Sequence, residues 1–307
     1  MSRRPHRRET RYATVTLLAG LCLLATAAAE PLPLADVHLH WKWNQKEVTG
    51  GEEAVDLLRD QQVALAVVSG TPPQLALELA ELAPDLVVPI YGLYRVPGEW
   101  ASWYRDEGLL ERVRTALNSG GYRGIGEVHM IGGFVSHWRR PTISGLFRLA
   151  AEYDVPVLVH TEFSRADYTL GLCQAHPDTR LLLAHAGAML APSEVQRVLD
   201  ECPNVHIDLS ARDPWRHRNN PMTGDNGLLL PGWRSLVVDN AGRFMIGSDP
   251  VWPVEQLNPW DEPDSGWREL PRFLAFHRRW LDDLPVDVAT AIRLDNALRF
   301  WRVEPAR

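Results

Sequence analysis

From Leu34 onward, short apolar runs alternate with longer amphipathic stretches. The apolar runs predict eight β-strands, at residues 34–40, 63–69, 86–91, 124–129, 155–161, 180–187, 205–210 and 243–249. Helical periodicity predicts helices at 52–62, 72–82, 108–118, 142–154, 169–175, 192–201, 236–241, 269–281 and 286–301. The runs are apolar throughout instead of alternating, which is typical of parallel strands covered on both faces.

Eight strand–helix units predict a (β/α)8 TIM barrel, an α/β fold that forms a single domain over residues 30–307. The alternative is an open, doubly wound sheet. The number of strands favours the barrel, and so does the lack of a glycine-rich phosphate loop after the first strand. Two long connections, 211–233 and 250–267, leave the carboxyl ends of the last two strands, where such barrels build active sites.

Five of the eight predicted strands end in a side chain of a type that binds metal ions. His38 and His40 lie two residues apart at the end of the first strand, so both can point to the same side. The later strands contribute four more candidates, Glu127, His160, His185 and Asp249. In a closed barrel these strand ends surround one opening. Four imidazoles and two carboxylates suit a borderline cation, of which Zn²⁺ is the first choice.

Each of these side chains also has an ordinary alternative. A single histidine at a strand end is more often a hydrogen-bonding residue than a ligand. Glu127 and Asp249 could form ion pairs at the rim of the barrel. The combination is what predicts a metal site, because the other three strands end in residues that are poor ligands, Ser69, Tyr91 and Ser210.

Four further residues on this side of the barrel are candidates for substrate binding: His129, Arg95, Arg212 and Trp41. His129 follows Glu127 by two residues and shares its strand face, with a rim hydrogen bond as the alternative. Arg95 and Arg212 could each bind a carboxylate through a fork of donors, although a solvated arginine is the ordinary outcome. Trp41 could form part of an aromatic pocket wall, and core packing is its alternative.

Residues 1–29 have the layout of a secretory signal peptide. Arginines precede an apolar run from Ala13 to Ala25, and Ala27–Ala29 offer a small-residue cleavage site. The run is shorter than the ~20 residues that span a bilayer, so we expect cleavage instead of a stable membrane anchor. The sequence therefore predicts a periplasmic or secreted protein.

The net charge of the chain is −7 at pH 7. Phosphate backbones are bound through Lys and Arg, so this acidic balance argues against a nucleic-acid partner. We expect a small-molecule substrate instead. Of the three cysteines, Cys173 and Cys202 lie beyond the predicted leader in helix-like stretches. Buried free thiols are the expected outcome there, although an oxidising compartment would permit a disulfide.

The ordered set His38-x-His40, Glu127, His160, His185 and Asp249 resembles the amidohydrolase superfamily of metal-dependent (β/α)8-barrel enzymes. Three stretches are most similar to its amidohydrolase-related branch, also called amidohydrolase 2. They are Val159-His160-Thr161-Glu162, Ala184-His185-Ala186-Gly187 and Ile246-Gly247-Ser248-Asp249-Pro250. That branch contains hydrolases and also non-oxidative decarboxylases.

The resemblance implies a role for each candidate ligand. His38 and His40 would hold the more buried metal ion, with Asp249 as a further ligand. His160 and His185 would hold a second ion, or one of them would complete the site of a single ion.

The end of the fourth strand departs from the commonest pattern of the superfamily. Many members have a carbamylated lysine there, whereas this chain has Glu127, as in the metal-dependent DNase-like branch. A carboxylate can bridge two ions without modification. The resemblance therefore implies one or two divalent ions, with the binuclear site favoured.

The function that follows is an exported, metal-dependent hydrolase acting on an ester, lactone or amide bond of a small molecule. The metal would make hydroxide available at neutral pH, and Asp249 would take the proton and pass it to the leaving group. The alternative is a non-oxidative decarboxylase of an aromatic or unsaturated acid, with one metal ion and an arginine clamp such as Arg212. A third possibility, a non-catalytic periplasmic binding protein, fits the complete ligand set less well.

Overall fold

The computed structural model describes residues 31–96, 98–130, 140–161, 164–216, 219–253 and 262–304. The chain divides into two compact units, Met1–Pro31 and Leu32–Arg307, and the second contains every element described below. The predicted signal peptide, residues 1–29, lies outside the described residues, so its cleavage stays a prediction. Within the described ranges, no helix has both the length and the apolar composition needed to cross a bilayer.

Eight parallel strands form the centre of the fold: β1 Leu34–Lys42, β2 Val63–Thr71, β3 Val87–Ile90, β4 Ile125–His129, β5 Val157–His160, β6 Leu181–Leu183, β7 Val205–Asp208 and β8 Phe244–Met245. They pair in sequence order within two sheets, β1–β3 and β4–β8. A bridge between Tyr91 and Ile125 joins the sheets on one side. On the other side, the Asp249 amide donates to the His38 carbonyl over 2.8 Å. The predicted (β/α)8 barrel is confirmed.

Helices surround the strands: α1 Trp43–Lys46, α2 Gly51–Asp60, α3 Gln74–Leu82, α4 Leu109–Asn118, α5 Pro141–Glu152, α6 Ala166–Ala175, α7 Pro192–Glu201, α8 Pro231–Asp239, α9 Leu270–Leu281, α10 Val286–Thr290 and α11 Asn296–Trp301. Helix α8 begins earlier than the predicted residue 236, because Pro231 fits the first turn of a helix. A π-helical turn, Ala291–Asp295, divides the predicted last helix into α10 and α11.

Apolar side chains fill both the barrel and the space around it. The larger core cluster lies between the strands and the surrounding helices. A second cluster combines strand residues such as Val37 and Leu158 with Phe300 and Trp301 of α11. Helix α11 therefore packs against the amino end of the barrel, and the carboxyl end is left for a site.

Strands β1 and β4 each contain an irregularity beside their candidate ligands. Between Asp36 and Leu39, β1 advances by one residue more than its partner β2. Between Ile125 and Val128, β4 does the same relative to β5. A bulge of this kind changes the face to which the following side chains point, so it helps to direct the ligands inward.

Strands β6 and β8 end before the site residues that follow them. The predicted runs extended to Gly187 and Asp249, but the observed pairing ends at Leu183 and Met245. His185 and Asp249 have φ angles of 56° and 46°, in the left-handed region, which is incompatible with an extended strand. Both side chains therefore lie on turns directly after short strands.

The expectation of free thiols is wrong. Cys173 in α6 and Cys202 directly after α7 form a disulfide, with Cα atoms 6.0 Å apart. Helices α6 and α7 are neighbours on the outside of the barrel. Linear spacing cannot reveal such a pairing, because connectivity depends on which helices pack side by side.

Candidate metal centre

The Glu127 carboxylate lies at the carboxyl end of the barrel and is surrounded by imidazole rings. Its Oε1 atom lies 2.8 Å from His160 Nδ1, 3.4 Å from His185 Nε2 and 3.6 Å from His38 Nε2. Its Oε2 atom lies 3.4 Å from His40 Nε2. A single carboxylate from β4 thus faces ligand atoms from β1, β5 and the turn after β6.

Asp249 completes this cluster from the turn after β8. Its Oδ1 atom lies 3.5 Å from His40 Nε2. The structure therefore brings together all the residues predicted as ligands: His38, His40, Glu127, His160, His185 and Asp249.

Two groups of potential ligand atoms share Glu127. One group contains His38 and His40, the other His160 and His185, and within each group the ligand atoms lie within 4.8 Å of one another. The His38 and His40 Nε2 atoms are 3.2 Å apart. A tetrahedral zinc ion with bonds of about 2.0–2.1 Å holds its ligand atoms about 3.3–3.4 Å apart. The first group, with separations of 3.2–3.6 Å, fits such an ion.

Asp208 and Ser210 orient the two most deeply placed histidines. His38 Nδ1 donates to Asp208 Oδ2 over 2.6 Å, and the Ser210 hydroxyl donates to the same oxygen over 2.7 Å. His185 Nδ1 donates to the Ser210 carbonyl over 3.1 Å. These hydrogen bonds at Nδ1 fix the orientation of both rings and direct their Nε2 atoms towards Glu127, which is how metal-bound histidines are commonly held.

Sequence analysis missed Asp208 because Ser210 was taken as the end of the seventh strand. The signal was present, since Asp208 directly follows the apolar residue Ile207 and ends β7. His38, His185 and Asp208 also form a third group of close ligand atoms. The hydrogen bond to His38 Nδ1 assigns Asp208 to the support of the site, because that nitrogen faces away from Glu127.

Gly247 allows His38 and Asp208 to approach each other. A Cβ atom at this position would lie 2.7 Å from His38 Cβ and 2.9 Å from Asp208 Oδ1. Behind the glycine, His277 Nε2 donates to the Gly247 carbonyl over 2.9 Å. Any larger residue at position 247 would push the first ligand away from the centre of the barrel.

The carboxylates of the cluster are anionic at neutral pH. Burial by itself raises the pKa of the Glu127 carboxyl, but the imidazoles of His160 and His38 lower this pKa well below its usual range. Burial opposes ionisation of Asp249 too, yet His38 and His185 help to lower its pKa to about 2. Anionic oxygens among imidazole nitrogens form an environment suited to a divalent cation.

The cluster opens into a pocket of about 240 Å³. His38 lies beneath the pocket and is fully buried. The side chains that line the pocket come from strands β1, β2, β4 and β5 and from the segments that follow β3, β6 and β8: His40, Lys42, Ser69, Thr71, Tyr94, Glu127, His129, His160, His185, Asp249 and Val251.

His129 lies in this pocket, as expected for a substrate contact. Its Nε2 atom is 3.7 Å from Glu127 Oε2, and its ring stacks on that of His160 at 4.7 Å. Tyr94, which sequence analysis did not select, donates its hydroxyl proton to His129 Nδ1 over 2.7 Å and accepts from the His129 amide over 2.9 Å. The contact of His129 with a substrate stays a prediction.

The other three residues proposed for substrate binding are not brought to the pocket. Arg95 is exposed and pairs with Glu99 and Asp106 at the surface. Trp41 is buried on the strand face opposite His40, where its ring packs edge-on against Trp267 at 5.1 Å.

Arg212 is fully buried beside the barrel. Its guanidinium donates to the carbonyl of Ala188 and, over 2.9 Å, to that of Asn220, and it lies 4.7 Å from the Trp233 ring. Burial lowers the pKa of Arg212 to about 10. Its two terminal nitrogens hold the loop backbone, and Arg212 is not among the residues that line the pocket.

Arg216 is a further residue that sequence analysis did not select. Its guanidinium donates to the carbonyls of Asp249, over 2.6 Å, and Ser248, over 2.8 Å, and to the Asp213 carboxylate over 2.6 Å. Arg216 therefore holds the turn that carries Asp249. The concentration of arginines after strand seven was the only signal of this role.

The family model described as amidohydrolase matches residues 35–303. The chain therefore belongs to the amidohydrolase family, whose members are metal-dependent enzymes on a TIM barrel. Comparison with curated protein sequences finds no match.

Solved structures with the same fold include three with informative descriptions. An amidohydrolase from Burkholderia multivorans with bound zinc is 18% identical, with a TM-score of 0.56 over 89% of this chain and 100% of the other. A probable 2-pyrone-4,6-dicarboxylic acid hydrolase from Acinetobacter baumannii is 14% identical, with a TM-score of 0.54 over 88% and 99%. A dihydroxybenzoic acid decarboxylase from a Polaromonas species with bound manganese is 11% identical, with a TM-score of 0.53 over 89% and 98%.

Proposed function

We propose that this protein is a hydrolase that uses metal-activated water to cleave an ester, lactone or amide bond of a small molecule. The single observation that carries the proposal is the position of Glu127 between two pairs of histidines. These two groups of ligand atoms, which have Glu127 in common, would hold two divalent ions. Zinc is our first choice, because imidazole and carboxylate donors suit it.

A divalent ion bound at this cluster would lower the pKa of a coordinated water towards ~7 and polarise the substrate carbonyl. The protein groups then have distinct tasks. The Asp249 carboxylate is ionised and would accept the proton of the attacking water. The same carboxyl would return the proton to the leaving group. Arg216 keeps this carboxylate in place by holding its backbone carbonyl.

The decarboxylase alternative depended on an arginine clamp for the substrate carboxylate. The Arg212 guanidinium donates to backbone carbonyls and is fully buried outside the pocket. Arg95 is paired at the surface. With neither arginine at the pocket, hydrolysis is the better-supported reaction.

Metal content and product analysis test the proposal together. The purified protein is analysed for metals and then assayed with a panel of esters, lactones, amides and aromatic acids. We expect two equivalents of metal per chain and hydrolysis of at least one class. Release of carbon dioxide from an aromatic acid by a protein with one equivalent would instead establish the decarboxylase.

Matched histidine variants test whether the cluster is responsible. His160→Gln should lose metal and activity together, because it removes a ligand next to Glu127. His206→Gln is the control, since this histidine packs against Phe300 at the opposite end of the barrel. Equal activity in the two variants would contradict the proposed site.

We also propose that residues 1–29 direct export and are removed. The disulfide between Cys173 and Cys202 supports this proposal, because disulfides persist mainly in oxidising compartments. The test is the intact mass of the protein recovered from the periplasm or the medium, which should begin at Glu30. A full-length protein found only in the cytoplasm would contradict it.

A further inference from the structure

Lys42 and Thr71 stand next to each other in the wall of the pocket, beyond the metal ligands. Strand register pairs His40 with Ser69 and, two residues further on, Lys42 with Thr71. Because alternate residues of a strand share a face, Lys42 points to the same side as His40. Both Lys42 and Thr71 are buried and line the pocket.

The Lys42 ammonium is held by a carboxylate that is itself well supported. Its Nζ atom lies 2.8 Å from Asp264 Oδ2, which also accepts from Gln45 Nε2 over 3.1 Å. Asp264 Oδ1 accepts from the amides of Trp252 and Gly266 over 2.9 and 2.8 Å. With three other donors, Asp264 does not depend on Lys42 alone to satisfy its charge.

A buried lysine needs a partner, since lysine is almost never buried unless it is paired, and Asp264 is that partner for Lys42. Among the described residues, Asp264 is the one hydrogen-bond partner of Lys42 Nζ, and an ammonium carries three donors. The chain has only one other lysine, Lys46, which is exposed and pairs with Glu78 at the surface. All other permanent positive charges of the chain are arginines.

The arginines near the site cannot replace Lys42 as an anion-binding group. Arg95 pairs with surface carboxylates, Arg212 holds loop carbonyls, and Arg216 holds the Asp249 turn. Apart from the histidines, Lys42 is the one basic side chain among the described residues that line the pocket. For a negatively charged group in the pocket, this ammonium is therefore the one permanently cationic partner among the described lining residues.

We propose that Lys42, with Thr71 beside it, binds a carboxylate of the substrate and so determines its class. The inference rests on the proposed function in naming the other end of the molecule as the bond that is cleaved. The backbone positions of His40 and Lys42 are roughly 6.5 Å apart along the strand, so the two side chains follow each other along the pocket wall. The substrate is then a small acid that carries its carboxylate a few bonds from the reacting carbonyl.

Binding to the metal-loaded protein tests this without turnover. Isothermal titration calorimetry compares glutarate, which has two carboxylates, with pentanoate, a five-carbon acid that has one carboxylate and no bond that the proposed reaction could cleave. Either ligand can place one carboxylate at the metal, but only glutarate can also reach Lys42 with a second. We expect wild-type protein to bind glutarate at least tenfold more tightly, and Lys42→Gln to reduce this preference to threefold or less.

Lys46→Gln is the matched control and should keep the full preference, and metal analysis should give the same content in all variants. A tenfold preference that survives in Lys42→Gln would overturn the proposal. Equal binding of the two ligands by the wild type would overturn it without any variant. If Lys42→Gln does not fold, Thr71→Val decides: a reduced preference supports the proposal and an unchanged one contradicts it.

The two proposals fail separately. Substitution of Lys42 could abolish the glutarate preference in a protein that hydrolyses nothing in the panel. That result would support the carboxylate site and refute the proposed reaction. Hydrolysis of neutral esters by a protein that shows no preference for a second carboxylate would support the proposed reaction and refute the carboxylate site.

Discussion

Glu127 and Arg212 are both charged and both buried near the carboxyl ends of the strands, but their surroundings differ. Four imidazole nitrogens lie within 3.6 Å of the Glu127 carboxylate, which borders the pocket. Arg212 meets the carbonyl oxygens of Ala188 and Asn220 and the face of Trp233. The Arg212 guanidinium is taken up by carbonyls of the protein backbone, whereas the imidazole nitrogens around Glu127 are groups that can bind a metal ion. The partners of a buried charge, more than its burial, indicate its function.

The largest expected effect comes from Glu127→Gln, which keeps the shape of the side chain and removes its charge. An amide cannot bridge two cations, so metal content should fall and activity should drop by about a thousandfold or more. Elemental analysis and initial rates measure the two quantities. Glu152→Gln, at an exposed surface pair with Arg114, is the control. Full metal content in Glu127→Gln would show that the carboxylate is not a ligand.

Arg212→Leu should lower the stability of the protein without removing the metal, in contrast to Glu127→Gln. The substitution removes the Arg212 donors from the carbonyls of Asn220 and Ala188, of which only Ala188 keeps a second donor among the described residues, and it removes the contact with the Trp233 ring. The free energy of unfolding should therefore fall by roughly 3 kcal/mol, while metal content per folded chain stays the same. Urea unfolding followed by circular dichroism measures the loss. If stability is unchanged but activity is lost, Arg212 acts on the substrate, and the decarboxylase alternative regains support.

His277 extends the comparison to a buried histidine outside the cluster. Burial lowers the pKa of His277 to about 4, against 6.5 for an exposed histidine. As pH falls from 6.5 to 4, the unfolded chain takes up a proton at this residue and the folded chain does not. This residue should therefore lower the free energy of unfolding over that range, by roughly 3 kcal/mol at most. Urea unfolding at pH 6.5 and pH 4 should show a smaller loss of the free energy of unfolding in His277→Gln than in the wild type. An identical loss in the two proteins would refute the low pKa of His277.

Asp208→Asn tests the support of the cluster and should have the smallest effect. The amide can still accept from His38 Nδ1, but it lacks the charge that strengthens this hydrogen bond. Metal affinity should fall by about 10- to 100-fold, measured by competition with a chelator. Asp200→Asn, at an exposed position of α7, is the control. Unchanged affinity in Asp208→Asn would remove Asp208 from the site.

The sequence could predict residues whose role follows from their position at the end of a single strand. His38 and His40 share a strand face, and Glu127, His160 and His185 follow apolar runs, so a closed barrel has to bring them together. Residues that act across strands could not be predicted. Lys42 is held in the pocket wall by Asp264, and Arg216 binds the carbonyl of Asp249. Both contacts join segments that are far apart in the chain, so the sequence does not show them.

Three residues were predicted to bind substrate but do not reach the pocket: Arg95, Arg212 and Trp41. Each follows or ends a strand on the expected side of the barrel, yet none of them lines the pocket. Position along the chain determines the end of the barrel at which a residue lies. It does not determine whether the side chain turns into the opening, outward to solvent or sideways into the packing of the loops.

The sequence by itself determined the barrel, the family and the set of ligand candidates, because apolar runs and polar strand ends are local patterns. Only the tertiary structure decided that one carboxylate lies between two pairs of histidines and that Asp208 and Ser210 orient them. It also decided that Cys173 and Cys202 are paired and that the pocket holds Lys42 instead of an arginine. The physical reason is that hydrogen bonds and ion pairs act over about 3 Å, and side chains separated by many residues reach that distance only when the barrel closes.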